Sequence, residues 1–153
     1  MSARLLGAFA AIALLAACSN TDENAAATGA GGTIRPGTQE DLVANVGDRV
    51  FFDFDSSVIR ADQRPVLQRQ AQWMGTHSAV RVQVEGHADE RGTREYNLAL
   101  GQRRANAARD ALVASGVNGS RITTISYGKD RPAALGSDEA SWAQNRRAVT
   151  VVQ

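Results

Sequence analysis

The sequence predicts an α+β fold, a two-layer α/β sandwich in which two main helices cover one face of a mixed β-sheet. From residue 48 onward, short segments with apolar residues at every second position alternate with longer segments whose apolar residues recur every three or four positions. The first pattern is typical of strands and the second of amphipathic helices. Their order is βαβα followed by two strands, and residues 48–153 have a suitable length for one domain.

The first strand is predicted at residues 49–55, RVFFDFD, where Phe54 falls on the same face as the other alternate apolar residues. The first helix is predicted to run from an N-cap at Asp62 to a stop at Gly75. Its core stripe follows the helical spacing i, i+4, i+7 and comprises Leu67, Ala71 and Met74.

The second strand, AVRVQVE at residues 79–85, has the clearest period-two alternation in the chain. The long second helix is predicted from about residue 94 to residue 115, and Gly116 is expected to stop it. Three apolar residues at heptad spacing form its expected buried seam, namely Leu98, Ala105 and Leu112.

Two further strands are predicted near the C-terminus, RITTISY at residues 121–127 and RAVTVVQ at residues 147–153. The segment between them contains glycine, proline and charged residues, and we expect it to form a loop with a short helix near residues 138–143. This completes the predicted four-stranded sheet.

The N-terminus has the pattern of a lipoprotein signal peptide at residues 1–17. An apolar run, too short to span a bilayer, follows one positive charge and ends in LAAC, which is similar to the bacterial lipobox. The lipobox pattern implies that Cys18 is lipidated and becomes the first residue of the mature protein. The alternative is an ordinary signal peptide followed by an unpaired thiol, since Cys18 is the only cysteine in the chain.

Residues 18–47 are predicted to form the lipidated cysteine and a flexible tether. They are rich in alanine, glycine, threonine and asparagine and contain few large apolar side chains, so they cannot bury enough surface to offset the entropy of ordering. Their root-mean-square span would be on the order of 30 Å. Ser19 after the cysteine, rather than aspartate, is compatible with sorting to an outer membrane by analogy with lipoproteins.

The composition argues against several classes of function. The formal net charge is +1 and the chain has only two tryptophans, which does not favour binding of nucleic acid. With two histidines and neither a G-x-S-x-G nor an H-E-x-x-H motif, the chain lacks the parts of a nucleophilic triad or a zinc protease. A single histidine beside Asp89 and Glu90 does not have the spacing of a closed metal site, so we expect neither a metal nor a cofactor.

Charged residues concentrate where the second strand meets the second helix, in VEGHADERGTREYNLALGQRRANA at residues 84–107. Gly86 is expected to let the backbone turn at the strand end, which places His87, Asp89 and Glu90 in the connecting loop. A histidine in such a loop more often orders it by hydrogen bonds than binds a ligand.

On the second helix, Asn97, Leu100 and Arg104 share one face, at i, i+3 and i+7, which we expect to be separate from the buried seam. Asp89 and Arg104 would then border one cleft, offering an anion for an ammonium group and a fork of donors for a carboxylate. Such a pair recognises a zwitterion. The spacing equally allows a direct surface salt bridge between the two, worth ~0–1 kcal/mol.

The motifs FFDFDSSVIR, VEGHADERGTREYNLALGQRRANA, SYGKDRP and NRRAV, in this order and spacing, resemble those of the OmpA-like peptidoglycan-binding domain family. The resemblance covers the whole of residues 48–153. It implies that the domain binds the diaminopimelate of the peptidoglycan stem peptide, with Asp89 taking the ammonium group and Arg104 the carboxylate. The positions that the resemblance adds to the same pocket are Phe54, Asp55, Asn97 and Leu100.

The resemblance also implies partners and a location. With acyl chains on Cys18 in the outer membrane and the domain on peptidoglycan, the protein would face the periplasm and link the two layers without catalysing a reaction. In the family, the periplasmic Tol propeller protein binds the same face, so this protein and other Tol components are expected partners in envelope integrity and cell division.

Overall fold

The computed structural model describes residues 32–153, of which residues 34–153 form one folded unit. The expected signal peptide at residues 1–17, the lipidation of Cys18 and the tether up to residue 31 lie outside the described residues. Between residues 32 and 153, no helix combines the length and the apolar character needed to cross a membrane.

A four-stranded mixed sheet confirms the predicted fold class. Its strands are β1 (Arg49–Phe51), β2 (Val82–His87), β3 (Ile122–Gly128) and β4 (Arg147–Val152), in the order β1-β4-β2-β3. β2 pairs in parallel with β3, and β4 pairs antiparallel with both β1 and β2. Because parallel neighbours require a crossover, the chain between β2 and β3 contains the longest helix.

Within residues 32–153, four α-helices accompany the sheet: α1 (Gln39–Asn45), α2 (Arg64–Thr76), α3 (Arg94–Ala114) and α4 (Glu139–Asn145). The long helices α2 and α3 pack against the sheet, and their apolar side chains form one core with those of the strands. The predicted α2 stripe is confirmed, since Leu67, Ala71 and Met74 are all buried. The short helix expected near residues 138–143 is α4, and the side chain of Asp138 caps its N-terminus.

β1 is shorter than the predicted strand at residues 49–55. Phe51 pairs with Arg147, where β4 begins, so the chain beyond Phe51 has no strand partner on that side. Phe52 remains buried, but Asp55 has a φ of 51° and therefore belongs to a turn. Phe54 is consequently 60% exposed at the tip of this turn, instead of lying on the buried face of a strand.

The N-terminal end of α2 also differs from the prediction. The helix begins after Gln63, without a side-chain cap, and the carboxylate of Asp62 pairs instead with the guanidinium of Arg60 at 2.9–3.0 Å. Pro65 fits the first turn because the first amides of a helix have no intrahelical acceptor. The prediction that Asp62 caps this helix was wrong.

The expected tether was too long at its C-terminal end, because residues 39–45 form α1. Thr38 caps this helix, and Leu42 is 1% exposed and belongs to the core. The carboxylate of Asp41 accepts hydrogen bonds from the indole of Trp73 at 2.9 Å and the amide of Gly37 at 2.8 Å, which fixes α1 to α2. One buried leucine contributes about 2 kcal/mol, enough to hold a short helix that its sequence alone would not stabilise.

β2 and α3 touch through two glycines, Gly86 and Gly101. A Cβ atom added to Gly86 would lie 1.7 Å from the carbonyl oxygen of Gly101, and one added to Gly101 would lie 2.3 Å from the hydroxyl oxygen of Ser126. Gly86 lies inside β2, so it permits this contact between backbones and not the turn that the sequence suggested. The contact sets how far the end of β2 lies from the middle of α3.

Candidate functional site

A pocket of about 190 Å³ opens where the end of β2, the start of α3 and the turn after β1 meet. All six side chains that the sequence and the resemblance suggested line it. They are Phe54, Asp55, Asp89, Asn97, Leu100 and Arg104. Three further residues line the pocket, namely Arg91, Gly92 and Tyr96.

The loop between β2 and α3 is held in shape from the helix side. Thr93 caps α3 by accepting a hydrogen bond from the amide of Tyr96, and the side-chain amide of Asn97 donates to the carbonyl of Arg91 at 2.9 Å. Gly92 has a φ of +93°, a conformation that L side chains rarely adopt. These contacts place Asp89, two residues beyond the strand, above the first turns of α3.

Arg104 is completely buried at the base of the pocket, and the acceptors of its hydrogen bonds among residues 32–153 are all backbone carbonyls. Its guanidinium bonds the carbonyls of Ser56 at 2.8 Å, His87 at 2.9 Å and Asp53 at 3.1 Å. Burial lowers the pKa of Arg104 to about 10, so the side chain remains charged at neutral pH. No carboxylate within residues 32–153 forms a salt bridge with it.

The guanidinium of Arg104 therefore keeps unused capacity for an anion. Three of its five N–H groups are committed to carbonyls, and the residue lines the pocket. A buried cation without a direct ion-pair partner is costly, and the nearby charges of Asp89 and Asp55 offset only part of the desolvation of Arg104. The arrangement favours a ligand that brings a carboxylate to this position.

Asp89 is almost as deeply buried as Arg104, but its partners are two other arginines. Its carboxylate accepts from the amide and the guanidinium of Arg91 at 2.7–3.2 Å and lies 3.5 Å from the guanidinium of Arg146. Burial would raise the pKa of Asp89, but the hydrogen bonds and charge of Arg91, with help from Arg146, hold it below its ordinary value. The simple alternative of an Asp89–Arg104 surface salt bridge was wrong.

The mouth of the pocket is aromatic. Phe54 and Tyr96 are both largely exposed there, and the Tyr96 hydroxyl donates a hydrogen bond to the carboxylate of Asp55. The guanidinium of Arg91 lies 3.9 Å from the ring centre of Phe54 and 4.0 Å from that of Trp142. The pocket thus joins a charged base to a rim on which an organic ligand can pack.

The binding face of α3 is not separate from its core seam, as the sequence analysis had expected. Arg104 and its neighbour Ala105 are both 0% exposed, whereas Leu98, the first residue of the predicted seam, is only half-buried. The buried face of the helix is therefore broader than a heptad stripe. It comprises Asn97, Leu100, Gly101, Arg104, Ala105, Ala108 and Leu112.

His87 does not order the loop by hydrogen bonds, and it lies at the end of β2 instead of in the loop. Its ring is 2% exposed, and within the described residues neither ring nitrogen has a hydrogen-bond partner. Burial, followed by the charges of Arg147, Arg131 and Arg49, lowers the pKa of His87 to about 4. Its backbone carbonyl accepts from Arg104, so the residue supports the pocket through its main chain.

The depressed pKa of His87 predicts a loss of stability in mild acid. Between its ordinary pKa of 6.5 and about 4, the unfolded chain binds a proton that the folded chain excludes, so the free energy of unfolding falls as the pH is lowered through this range. The contribution at pH 5 is about 2 kcal/mol. Chemical denaturation at pH 7.5 and pH 5 measures the effect. The free energy of unfolding should fall between these two pH values by about 2 kcal/mol more in the native chain than in His87→Gln. Equal losses in both proteins would contradict it.

The sequence analysis did not assign the side chains of Arg91 and Arg146 to the site, and only the first of them had a local sequence signal. Arg91 follows Asp89 by two positions, and an Asp followed by Arg in a polar loop is a signal for a local ion pair. Arg146 contacts Asp89 and donates to the carbonyl of Phe52 at 3.0 Å, but its separation from both residues in sequence left no local pattern. Within residues 32–153, no three His, Cys, Asp or Glu side chains come together as a metal site would require.

Comparison of the sequence with known proteins shows the family of this chain. Residues 51–146 match the model of the OmpA family. A peptidoglycan-associated lipoprotein of Rhizobium meliloti is 56% identical over 143 residues, covering 93% of this chain and 81% of the relative. One of Haemophilus influenzae is 44% identical over 138 residues, covering 90% of each chain.

Solved structures agree with the fold. The crystal structure of the peptidoglycan-associated lipoprotein from Burkholderia pseudomallei superposes with a TM-score of 0.69 at 46% sequence identity, covering 74% of this chain and all of the other. The C-terminal domain of Helicobacter pylori MotB superposes with a TM-score of 0.65 at 23% identity, covering 69% of this chain and 84% of the other, which is a likeness of fold alone. The chain belongs to the OmpA family and, within it, to the peptidoglycan-associated lipoproteins.

Proposed function

We propose that this protein binds peptidoglycan without changing it, by holding the diaminopimelate of the stem peptide in the pocket around Arg104. The observation that carries the proposal is Arg104, which lines the pocket, is completely buried and, among the described residues, donates hydrogen bonds to carbonyls and to no carboxylate. A ligand carboxylate would supply the missing counter-charge in a planar, two-point contact. The names of the relatives, peptidoglycan-associated lipoproteins, support peptidoglycan as the partner.

Diaminopimelate suits the charges of this pocket. Its side-chain end carries an ammonium group and a carboxylate on the same carbon, so one end of the ligand needs an anion and a cation a short distance apart. Asp89 and Arg104 line the same pocket and provide them. Phe54 and Tyr96 at the mouth would then contact the less polar chain of the stem peptide.

The proposal extends to the location. Acyl chains on Cys18 would hold the N-terminus in the outer membrane, because each buried methylene contributes about 0.8 kcal/mol and more than one chain makes the attachment stable. The domain would then face the periplasm and hold the cell wall as the reversible end of the link. The Tol propeller protein and other Tol components are proposed partners on the strength of family resemblance.

The direct test is sedimentation of the full-length chain with insoluble peptidoglycan. We expect the protein in the pellet and no release of soluble muropeptides, with or without a chelator. Protein that stays in the supernatant would contradict binding, and release of muropeptides would show an enzyme.

Asp89→Asn should weaken binding to peptidoglycan, as measured by sedimentation, by about 1.5–3 kcal/mol, because a hydrogen bond to a charged group usually contributes this much. Asparagine retains the shape of the side chain but not the charge that would attract an ammonium group. Asp110→Asn is the matched control, because Asp110 pairs with Arg109 on the exposed side of α3. Equal binding by the two variants would show that the charge of Asp89 has no part in recognition.

Cys18→Ser should abolish recovery of the protein in the outer-membrane fraction, because serine has no thiol for the lipid. The variant is expected among soluble proteins or as an inner-membrane precursor when cell fractions are compared by immunoblot. Undiminished outer-membrane recovery would mean that another segment provides the anchor.

A further inference from the structure

The side chain of Arg91 binds the carboxylate of Asp89, which the proposed function assigns to the ammonium group of the ligand. Its guanidinium donates to the two oxygens of Asp89 at 3.2 and 2.7 Å, and its backbone amide donates to the first of them at 3.0 Å. An ammonium group arriving from the pocket would meet an Asp89 whose charge is already paired. The pocket therefore contains a cation of its own where the cation of the ligand would bind.

Two aromatic rings hold Arg91 in this position. The rings of Phe54 and Trp142 both contact its guanidinium, with their centres 3.9 and 4.0 Å from it. The indole of Trp142 also donates to the carboxylate of Glu90 at 2.9 Å, which ties α4 to the loop that carries Arg91. Each cation–π contact at such a partly exposed place is worth about 0.5–1 kcal/mol, so the closed position is favoured but not locked.

Of the two arginines that contact Asp89, only Arg91 is placed to leave. The side chain of Arg91 is 30% exposed, whereas that of Arg146 is 7% exposed and is fixed by hydrogen bonds to the carbonyl of Phe52 and the carboxylate of Glu139. If Arg91 rotated toward solvent, Asp89 would keep Arg146 as a partner at 3.5 Å. Opening would therefore not leave a buried carboxylate without a cation.

We propose that Arg91 is a lid that covers the carboxylate of Asp89 in the absence of ligand and that the ammonium group of the ligand displaces it. This inference rests on the proposed function and deepens it, because it makes the affinity for the wall depend on the balance between closed and open positions. A protein that binds its ligand only when open has an apparent affinity reduced by the open fraction. Trp142, which contacts Arg91 and does not line the pocket, then tunes binding without touching the ligand.

The test compares the full-length chain with its Arg91→Gln variant in detergent, using free meso-diaminopimelic acid as the probe. Glutamine can still contact Asp89 but carries no charge to compete with an ammonium group. We expect the variant to bind meso-diaminopimelic acid roughly five- to tenfold more tightly in calorimetry. The ligand no longer has to break the ion pair and the aromatic contacts of Arg91, which together account for a change of this size. Arg94→Gln is the matched control, since Arg94 pairs with Asp130 in the same region and does not line the pocket.

Tryptophan emission gives a second observation. The chain has two tryptophans, and Trp142 is the one that contacts Arg91. Displacement of the guanidinium should change the emission of the native chain when the probe binds, and the change should be absent in both Arg91→Gln and Trp142→Phe.

Weaker or unchanged binding by Arg91→Gln would overturn the lid, because Arg91 would then be a contact for the ligand or a bystander. An unchanged emission of the native chain at saturating probe would overturn it as well. Failure of the proposed function has a different signature, in which neither protein binds the probe or sediments with peptidoglycan. That result also overturns the lid, since no ammonium group would then displace Arg91.

Discussion

Arg104→Ala should remove most of the binding of the full-length chain to peptidoglycan, a loss of about 2–5 kcal/mol in sedimentation assays. The variant would leave the carboxylate of the ligand desolvated and without its cation. It should also lower the melting temperature, because three carbonyls that accept from Arg104, those of Ser56, His87 and Asp53, would lose their donor.

Arg104→Lys separates binding from folding. Lysine keeps the positive charge and most of the volume, so we expect a smaller loss of stability, but an ammonium group cannot reproduce a planar two-point contact with a carboxylate. Binding should still fall at least about tenfold. Arg109→Ala is the control, because Arg109 lies on the same helix and pairs only with the exposed Asp110. Equal and small losses for Arg104→Lys and Arg109→Ala would remove Arg104 from the site.

Gly86→Ala should destabilise the fold by about 3 kcal/mol or more, the upper end of the cost of overpacking. The new methyl group would lie 1.7 Å from a backbone oxygen of Gly101, and neither β2 nor α3 can move alone without disturbing the core. Chemical denaturation measures the effect as a lower free energy of unfolding.

Gly75→Ala provides the control for this substitution. Gly75 lies inside α2, a Cβ there meets nothing within 4 Å, and alanine is the better helix former, so stability should rise by up to about 1 kcal/mol. If Gly86→Ala were as stable as the native chain, the two backbones would not be in contact in solution.

Gly86 also shows what the sequence could and could not predict. The period-two pattern of β2 and the helical spacing in α2 and α3 are local, and they predicted these elements with errors of one to three residues at most ends. The contact between Gly86 and Gly101 depends on how two elements cross in space, which no local pattern encodes. A glycine next to a strand end was therefore interpreted as a turn.

The same limit explains α1 and the shortened β1. Leu42 is the buried apolar residue of a mostly polar segment, and the core that it enters stabilises residues 39–45 as a helix. β1 ends at Phe51 because β4 offers no partner further along, although the alternation in the sequence continues through Phe54. In both places, tertiary partners decided the structure.

The candidate site, like the fold, could be predicted from local patterns only in part. Spacing on α3 brought Asn97, Leu100 and Arg104 to one pocket, as predicted, because residues three and four apart share a helix face. The resemblance supplied Phe54 and Asp55, which no local pattern linked to that helix. The pairing of Asp89 with Arg146 joins residues 57 positions apart, which no local pattern encodes, whereas the pairing with Arg91 is local.

In our proposal, the pocket recognises the carboxylate and the ammonium group of diaminopimelate together. Lysine is diaminopimelic acid without one of its carboxylates, so a calorimetric titration of the full-length chain with each compound tests the claim directly. We predict saturable binding of meso-diaminopimelic acid and at least about tenfold weaker binding of lysine, with the difference lost in Arg104→Lys. Equal affinity for the two compounds in the native chain would contradict the claim.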